Sequence, residues 1–282
     1  MITRILVAVD FSEASLNALE TAIYIAKKNG ASIYLVHVQD NIFDFLGVST
    51  TSMTGVTSNS SSILSALATD IHKRSGIKPV IIEDTGYVTE IIIKNAVKYR
   101  CDLITMGTYG ASGYRKGYIG STSYGTVKYT PCPVLLIPGG KRWTSFRKPL
   151  FPVRPVSTAL RYYEIVRNFL EENSTPTVLG LYNFENDTVE DLNGLVSEIE
   201  GRLAAKKITA KTVWGTEQSI SKDILLQSER VNSDLVIVTP AIDVSAKTFY
   251  IGPNTHDIIH NARTPVLFIN KVNVYALTGS NR

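Results

Sequence analysis

The chain repeats itself along its length, and this feature limits the folds open to it more than any other. Three segments match at a shift of 132 residues without gaps: 102–103 with 234–235, 118–120 with 250–252, and 133–137 with 265–269. Three matches in one register indicate a tandem duplication, so we expect two copies of one structural unit. The starts of the two halves align only at a shift of 144, which sets Val9 against Val153, so the first half carries a longer insertion.

Each half alternates short apolar runs with amphipathic helical patterns. In the first half the apolar runs, which we interpret as buried strands, are 3–9, 32–38, 79–83, 103–106 and 133–137. The helical patterns are 12–28, 63–74, 88–99 and 121–129, and in the second half near 157–172, 189–206, 219–231 and 254–262. This alternation predicts an α/β fold with two tandem doubly wound parallel sheets of five strands each.

Two stretches interrupt the alternation. Residues 49–62 are almost wholly Ser, Thr, Gly and Asn, which predicts a mobile loop, either a solvated connector or a lid. Residues 141–148 contain Lys141, Arg142, Arg147 and Lys148 and no acidic residue, which indicates a basic linker. We therefore divide the chain into a first domain at 1–140, this linker, a second domain at 149–271 and a C-terminal tail at 272–282.

Composition excludes several classes of protein. The net charge of +4 is small and the aromatic residues are not interleaved with basic ones, so we expect no nucleic-acid partner. No run of 18 apolar residues occurs and the first residues lack the features of a signal peptide, so we expect no membrane span and a cytoplasmic location. The only cysteines, Cys101 and Cys132, are too few for a disulfide scaffold or a multi-cysteine metal site.

Residues at the carboxyl ends of the predicted strands suit an anion. Ligands of open α/β sheets bind at this edge, where the first strand delivers Asp10 and the fourth delivers Gly107 and Gly110. Gly120 and Ser121 then open the fourth predicted helix. Glycines let the backbone approach a phosphate closely, and the N–H groups of a helix's first turn attract one. The spacing therefore predicts a phosphate site here.

Other phosphate-binding and catalytic motifs are absent from the sequence. There is no Gly-x-x-x-x-Gly-Lys-Ser/Thr, no pair of glycines separated by one residue, and no Gly-x-Ser-x-Gly. These absences argue against a P-loop NTPase, a dinucleotide-binding enzyme and an α/β-hydrolase.

With these strand contexts, the first half resembles the universal stress proteins. The likeness rests on residues 10–13 (Asp-Phe-Ser-Glu), 36–38 (Val-His-Val), 102–108 and 131–134, and on the signature Gly-x-x-Gly, nine residues, Gly-Ser, met by Gly107, Gly110, Gly120 and Ser121. It covers nearly all of residues 1–138 and, more faintly, 149–270. The resemblance implies a tandem member with two sheets of the adenine nucleotide alpha hydrolase-like, Rossmann-like type, packed as a pseudo-dimer through the strands at 133–137 and 265–269.

The resemblance also implies a binding site for ATP, ADP or AMP with Mg²⁺. Ala8 and Val9 would line the adenosine pocket, Val38 would offer backbone hydrogen bonds to adenine, and Asp10 would face the ribose or a phosphate-bound magnesium ion. Met106 and Gly107 would pack near the ribose. Tyr109 stands where members often have His, and the residues implied to hold phosphate are Gly110, Gly120, Ser121, Thr122 and Ser123. Arg115 and Lys116, in the nine-residue loop, either reach over the phosphates or are solvated.

The second half departs from this signature. Thr239 and Ile242 replace the two leading glycines, Pro253 replaces the serine, and Arg154 stands at the position of Asp10; only Gly252 remains. Since proline offers no N–H and isoleucine prevents close approach to the backbone, we expect no ATP binding here in the same manner. Arg154 either reaches another anion or belongs to a structural partner domain.

Three functions remain open from the sequence. The first is an ATP-binding stress-response regulator, with an unknown protein partner and a possible homodimer. The second is a slow ATPase in the same pocket, using Asp10 and either Tyr109 or His37, and the third is a scaffold without nucleotide. Cys101 and Cys132 are interpreted as buried reduced thiols rather than a redox pair, and His256 and His260 as surface or capping residues rather than metal ligands.

Overall fold

The computed structural model describes residues 2–39, 54–108, 120–156, 159–181, 188–215, 219–243 and 251–270, and for 54–59 the backbone only. The strands are β1 Arg4–Ala8, β2 Ser32–Gln39, β3 Val80–Thr85, β4 Leu103–Gly107, β5 Val134–Ile137, β6 Pro149–Val153, β7 Thr177–Gly180, β8 Lys211–Trp214, β9 Leu235–Val238 and β10 Val266–Phe268. The helices are α1 Glu13–Asn29, α2 Thr54–Ser75, α3 Val88–Lys98, α4 Ser121–Tyr129, α5 Ala159–Val166, α6 Val189–Ala204, α7 Ile220–Arg230 and α8 Pro253–Asn261, with a 3₁₀ turn at Pro240–Asp243.

The strands form one sheet of ten, in the order β3-β2-β1-β4-β5-β10-β9-β6-β7-β8. Each half contributes five parallel strands in the same relative order, which confirms the predicted α/β fold with its two five-stranded units. The halves meet where β5 and β10 pair antiparallel, with Leu135 opposite Leu267. These are the two strands that the resemblance implies should pack together.

Helices cover both faces of the sheet, which explains why the strands are continuous apolar runs. In β1, Ile5 and Val7 belong to the core on one face and Leu6 to the core on the other. In β2, Leu35 and Val36 divide in the same way. Successive side chains of a strand point to opposite faces, so a strand buried on both faces has no polar alternation.

An aspartate braces the start of the sheet in each half. Asp102, just before β4, accepts hydrogen bonds through Oδ2 from the N–H groups of Thr3 at 2.8 Å and Arg4 at 3.0 Å. Asp234, just before β9, accepts through the same atom from Arg147 at 2.6 Å and Lys148 at 3.0 Å. One of the repeated sequence matches is therefore a structural carboxylate that joins two neighbouring strands.

The described residues differ from the sequence-based expectations at two places. Helix α2 begins at Thr54, so residues 54–62 are helical and the predicted loop over 49–62 is wrong there. Two serine hydroxyls connect this part of α2 to neighbouring strands: the side chain of Gln39 donates to Ser60 Oγ at 3.2 Å, and Ser61 donates to the carboxylate of Glu83. These tertiary hydrogen bonds outweigh the weak helix propensity of serine.

The second difference concerns helix α5, which ends at Val166 and so stops well short of the expected 172. Within the predicted linker, Trp143 and Phe146 are buried in the core that both halves share. The predicted tail at 272–282 lies outside the described residues. Among the helices that the structure describes, none combines the length and the apolar character needed to span a bilayer.

Candidate functional site

The strand order of the first half reverses between β1 and β4, and the predicted site residues lie around this point. From β1 the chain first adds β2 on one side, and it later returns to add β4 on the other. Such a switch point leaves a crevice at the carboxyl ends of the strands. Asp10 follows β1, and Gly107 ends β4, beside the starts of α1 and α4.

A tight turn holds Asp10 at the start of α1. Its Oδ1 accepts hydrogen bonds from the N–H of Ser12 at 3.0 Å and from the Ser12 hydroxyl at 2.5 Å. Ser12 is also the N-cap of α1, where its Oγ accepts from the N–H of Ser15 at 3.3 Å. The Asp10 side chain is exposed at the edge of the sheet. The Asp-x-Ser spacing, typical of an Asx turn, is the sequence signal for this arrangement.

His37 supports the same turn from β2. Its Nδ1 lies 2.8 Å from the carbonyl oxygen of Val9, and its ring packs against Phe11 with centroids 4.7 Å apart. Both interactions stabilise the path of the chain between β1 and α1. These contacts favour a packed, hydrogen-bonded role for His37 over that of a general base.

Gly107 joins β4 to α1 by close backbone contact. A Cβ atom at this position would lie 2.8 Å from the backbone of Ala14 and 2.9 Å from the N of Ser15, which is too close for any side chain. The Ser123 hydroxyl, which is buried, donates to the carbonyl oxygen of Gly107 at 3.0 Å. The starts of α1 and α4 are therefore held together around the end of β4.

Within the described part of the chain, the N-terminus of α4 has backbone donors available to an anion. Gly120 is the N-cap with φ −61° and ψ 144°; among the described residues no side chain caps the helix, and its first turn contains no acidic residue. The first N–H groups of a helix have no partner within it. Here they belong to Ser121, Thr122 and Ser123. Of the atoms that the structure describes, a Cβ at Gly120 would meet only the Thr108 oxygen, at 3.6 Å, which is an ordinary contact.

Val38 presents backbone groups to the other side of the crevice. The N–H of Val9 donates to the Val36 oxygen at 2.9 Å, which is the last backbone hydrogen bond between the β1 segment and β2. Backbone groups two residues apart in a strand face the same side. Val38 N–H and C=O therefore face the space beyond β1, and no backbone hydrogen bond among the described residues occupies them there.

The remaining predicted site residues lie beneath or outside this crevice. Val9 and Met106 are buried at the ends of their strands, with 3% and 4% exposure, and Ala8 is half-buried. Val9 packs into the core on one face of the sheet, and Met106 and Ala8 pack on the other face. Tyr109, Gly110, Arg115 and Lys116 lie outside the described residues.

The donor set fits an adenine nucleotide with magnesium on its phosphates. Val38 offers one backbone donor and one acceptor, as the edge of a base requires. The first turn of α4 offers N–H groups and the positive end of a helix dipole to phosphate oxygens. Asp10 supplies an exposed carboxylate, and magnesium prefers oxygen ligands of this kind together with phosphate.

The equivalent edge of the second half is closed. Thr239 and Ile242 have only 1% of their surface exposed, and Pro253 is the first residue of α8. Arg154, 4% exposed, donates from one Nη to the carbonyl oxygen of Ala241 at 3.3 Å. Of the two roles open to Arg154 from the sequence, this contact supports the structural one.

The two cysteines and the two histidines of α8 were the other candidates for reactive or metal-binding groups. Burial raises the pKa of the Cys101 thiol to about 12 and raises that of Cys132 as well, so both resist forming the reactive thiolate. The rings of His256 and His260 stack at 5.9 Å, and Tyr124 of α4 packs edge-on against His256 at 5.9 Å. In the part of the chain that the structure describes, no group of three or more His, Cys, Asp or Glu is placed to hold a metal ion.

Comparison with known proteins identifies the family that this chain resembles. The model of the universal stress protein family matches residues 1–138. A universal stress protein of Methanocaldococcus jannaschii is 30% identical over 146 residues, covering 49% of this chain and 84% of that protein. One from Bacillus subtilis is 26% identical over 151 residues, covering 49% of this chain and 99% of that protein.

Similarity of fold extends over both halves. The crystal structure of a universal stress protein from Archaeoglobus fulgidus matches 95% of this chain and 98% of its own, with a TM-score of 0.73 and 21% sequence identity. The ten-stranded arrangement of two related halves therefore has a counterpart among solved structures.

Proposed function

Because the chain belongs to the universal stress protein family, we propose that its first half binds an adenine nucleotide and that the chain acts through it as a stress-response regulator. The ligand is ATP, or ADP or AMP, with magnesium on its phosphates. Residues 1–140 then form the nucleotide-binding domain and residues 149–271 a second domain that does not bind nucleotide in this way.

The observation that carries this proposal is the N-terminus of α4 at the switch point of the sheet, which no side chain in the described ranges caps. Gly120 leaves the first-turn amides accessible, since it has no side chain to cover them. An anion at such a position accepts several hydrogen bonds and also interacts favourably with the helix dipole. Because no contact with a described residue requires glycine at position 120, its small size is better explained by a ligand.

The backbone groups of Val38 and of α4 together suit a nucleotide rather than free phosphate. Val38 belongs to β2, on one side of β1, and the amides of α4 follow β4, on the other side. A base at Val38 and phosphates at α4 would place the ribose over Gly107. Asp10, at the open side of the crevice, is then positioned for the ribose hydroxyls or for magnesium.

Calorimetric titration of the purified chain with ATP and magnesium tests the proposal. We predict that Gly120→Val weakens binding by at least about 100-fold, because the valine covers amides that each contribute about 1.5–3 kcal/mol to a charged ligand. The variant should fold normally, since the added Cβ meets only an ordinary contact. Unchanged affinity in Gly120→Val would contradict this site.

Gly194→Val is the matched control. Gly194 lies exposed in α6, where an added Cβ meets nothing within 4 Å, so the same change of residue should leave ATP binding intact. Mass spectrometry of small molecules released from freshly purified, denatured protein then identifies the nucleotide. Recovery of intact ATP after prolonged incubation favours a binding protein, whereas turnover abolished by Asp10→Ala would make the chain a hydrolase.

A further inference from the structure

Helices α4 and α8 occupy equivalent places in the two halves, yet their N-termini differ in one respect. Both begin after a glycine N-cap with extended backbone: Gly120 has φ −61° and ψ 144°, and Gly252 has φ −70° and ψ 165°. No side chain among the described residues caps the first turn of α4, whereas a buried carboxylate, that of Asp243, occupies the first turn of α8.

The Asp243 carboxylate accepts hydrogen bonds from the backbone N–H groups in the first turn of α8. Its Oδ1 accepts from the N–H of Asn254 at 3.0 Å and its Oδ2 from the N–H of Thr255 at 2.9 Å. The Thr255 hydroxyl donates to Oδ2 at 2.6 Å, and the Asn254 side-chain amide donates to Oδ1 at 3.1 Å. Pro253, the first residue of the helix, has no N–H. The carboxylate thus takes the place that an external anion would take.

The carboxylate lies directly against the glycine, as a bound phosphate would. A Cβ atom at Gly252 would lie 2.1 Å from the Asp243 carboxyl carbon and 2.5 Å from its Oδ1, so only glycine fits beneath the carboxylate. Asp243 itself is 7% exposed. In the register of the repeat, the residue that matches Asp243 in the first half is Ala111, which has no carboxylate.

The turn that delivers Asp243 is held from several sides. It is the 3₁₀ turn Pro240–Asp243, whose Ala241 oxygen accepts a hydrogen bond from Arg154. The Ile242 side chain is buried in the core, and its carbonyl oxygen accepts from the Asn254 side chain at 3.2 Å. Arg154 and Ile242 stand at the positions of Asp10 and Gly110 in the first half, so two of the replaced site residues now support the carboxylate.

We propose that the Asp243 carboxylate is an internal substitute for phosphate. It permanently occupies the N-terminus of α8, and an oxyanion site becomes available there only when the carboxylate is removed. The comparison with phosphate rests on the function proposed for the first half. Removing the carboxylate exposes the amides of Asn254 and Thr255 above Gly252. The vacated site then accepts a small oxyanion such as inorganic phosphate.

The test is Asp243→Ala in the full chain, followed by thermal unfolding with increasing inorganic phosphate. Loss of hydrogen bonds to a buried charge should lower the unfolding midpoint by about 3–10 °C. Phosphate should then raise the midpoint of the variant, saturably and by more than it raises that of the wild type, whereas chloride at equal ionic strength should not. Equal phosphate effects on variant and wild type would overturn the proposal.

Asp191→Ala is the matched control. Asp191 lies exposed in the first turn of α6, and the N-cap of that helix is Thr188 rather than a glycine. Phosphate should therefore not restore the unfolding midpoint of Asp191→Ala. Should Asp243→Ala fail to fold, hydrogen exchange in the wild type provides a second test: the Thr255 amide should exchange at least about tenfold more slowly than the amide of Ser123, its counterpart in the repeat. Equally fast exchange at the two positions would contradict the proposal.

The two proposals fail in different ways. If calorimetry detects no nucleotide binding by the wild type but phosphate stabilises Asp243→Ala, the proposal for Asp243 holds and the function proposed for the first half is wrong. If ATP binds and Gly120→Val abolishes this binding, but phosphate does not stabilise Asp243→Ala, the proposed site in the first half holds and the proposal for Asp243 is wrong.

Discussion

Phe11 has a backbone conformation that residues other than glycine rarely adopt. Its φ of 63° lies in the left-handed region, directly after Asp10. The ring packs against the His37 imidazole with centroids 4.7 Å apart and against the core that both halves share. Aromatic contacts of this kind are worth about 0.5–1.5 kcal/mol, which offsets part of the cost of the left-handed backbone.

We predict that Phe11→Gly is more stable than Phe11→Ala by about 1 kcal/mol. Both variants lose the ring, but only alanine retains the steric cost of the left-handed conformation. Urea unfolding of the two variants and the wild type measures the difference. If alanine is the more stable of the two, the turn does not keep a positive φ at this position in solution.

Gly120 and Gly252 show that the same residue in the same register can serve different purposes. At Gly120 an added Cβ meets an ordinary contact, so glycine there suits a ligand. At Gly252 it would collide with Asp243, so glycine there suits an internal side chain. Gly252→Val therefore disrupts the second half and cannot serve as a neutral counterpart to Gly120→Val.

Among the elements, the equivalent pairs β1/β4 and β6/β9 are joined by the same device. Asp102 and Asp234 each bond two successive N–H groups at the start of the neighbouring strand. Asp102 also accepts from the Thr3 hydroxyl at 2.6 Å. A carboxylate in this position satisfies backbone donors that the parallel ladder leaves unpaired at its end.

We predict that Asp234→Ala lowers the free energy of unfolding by about 1–3 kcal/mol, because the Arg147 and Lys148 amides lose a charged acceptor. Asp102→Ala should have an effect of similar size. Chemical unfolding checks both, with Asp84→Ala as the control. Asp84 lies in a largely exposed pair with Lys94 at 3.9 Å, so its loss should change stability by less than about 0.5 kcal/mol. An effect as small as this for Asp234→Ala would show that the brace contributes little.

At the scale of the whole molecule, the two halves share one sheet and one core. The antiparallel pair β5 and β10 removes an open edge from each half. The Tyr24 hydroxyl of α1 donates to the carboxylate of Glu171, and Lys28 Nζ donates to the Leu170 oxygen at 2.8 Å. Trp143 and Phe146 fill the core near the connection between the halves.

We predict that the two halves unfold in one cooperative transition, since separating them would expose this shared core to water. The two tryptophans allow a direct test, because Trp143 is buried near the connection and Trp214 ends β8 in the second half. The single-tryptophan variants Trp143→Phe and Trp214→Phe should show coincident fluorescence and circular dichroism transitions. Two separated midpoints within one variant would mean that the halves are independent folding units.

Much of the fold and part of the site were predictable from local patterns. The duplication, the alternation of strands and helices, and the start of α4 at Ser121 agree with the structure. Apolar periodicity and turn residues act over a few positions, so they can be read directly. The serine-rich start of α2 was missed because its partners, Gln39 and Glu83, lie on other elements.

The sequence by itself determined that the chain is a duplicated α/β protein and that only its first half keeps the glycine and serine pattern of a phosphate site. Tertiary structure alone decided what surrounds those glycines. It turned the backbone groups of Val38 toward the space beyond β1, and it brought the Asp243 carboxylate onto Gly252. Residue types follow from a sequence, but which atoms lie within 3 Å of a glycine depends on how distant segments pack against it.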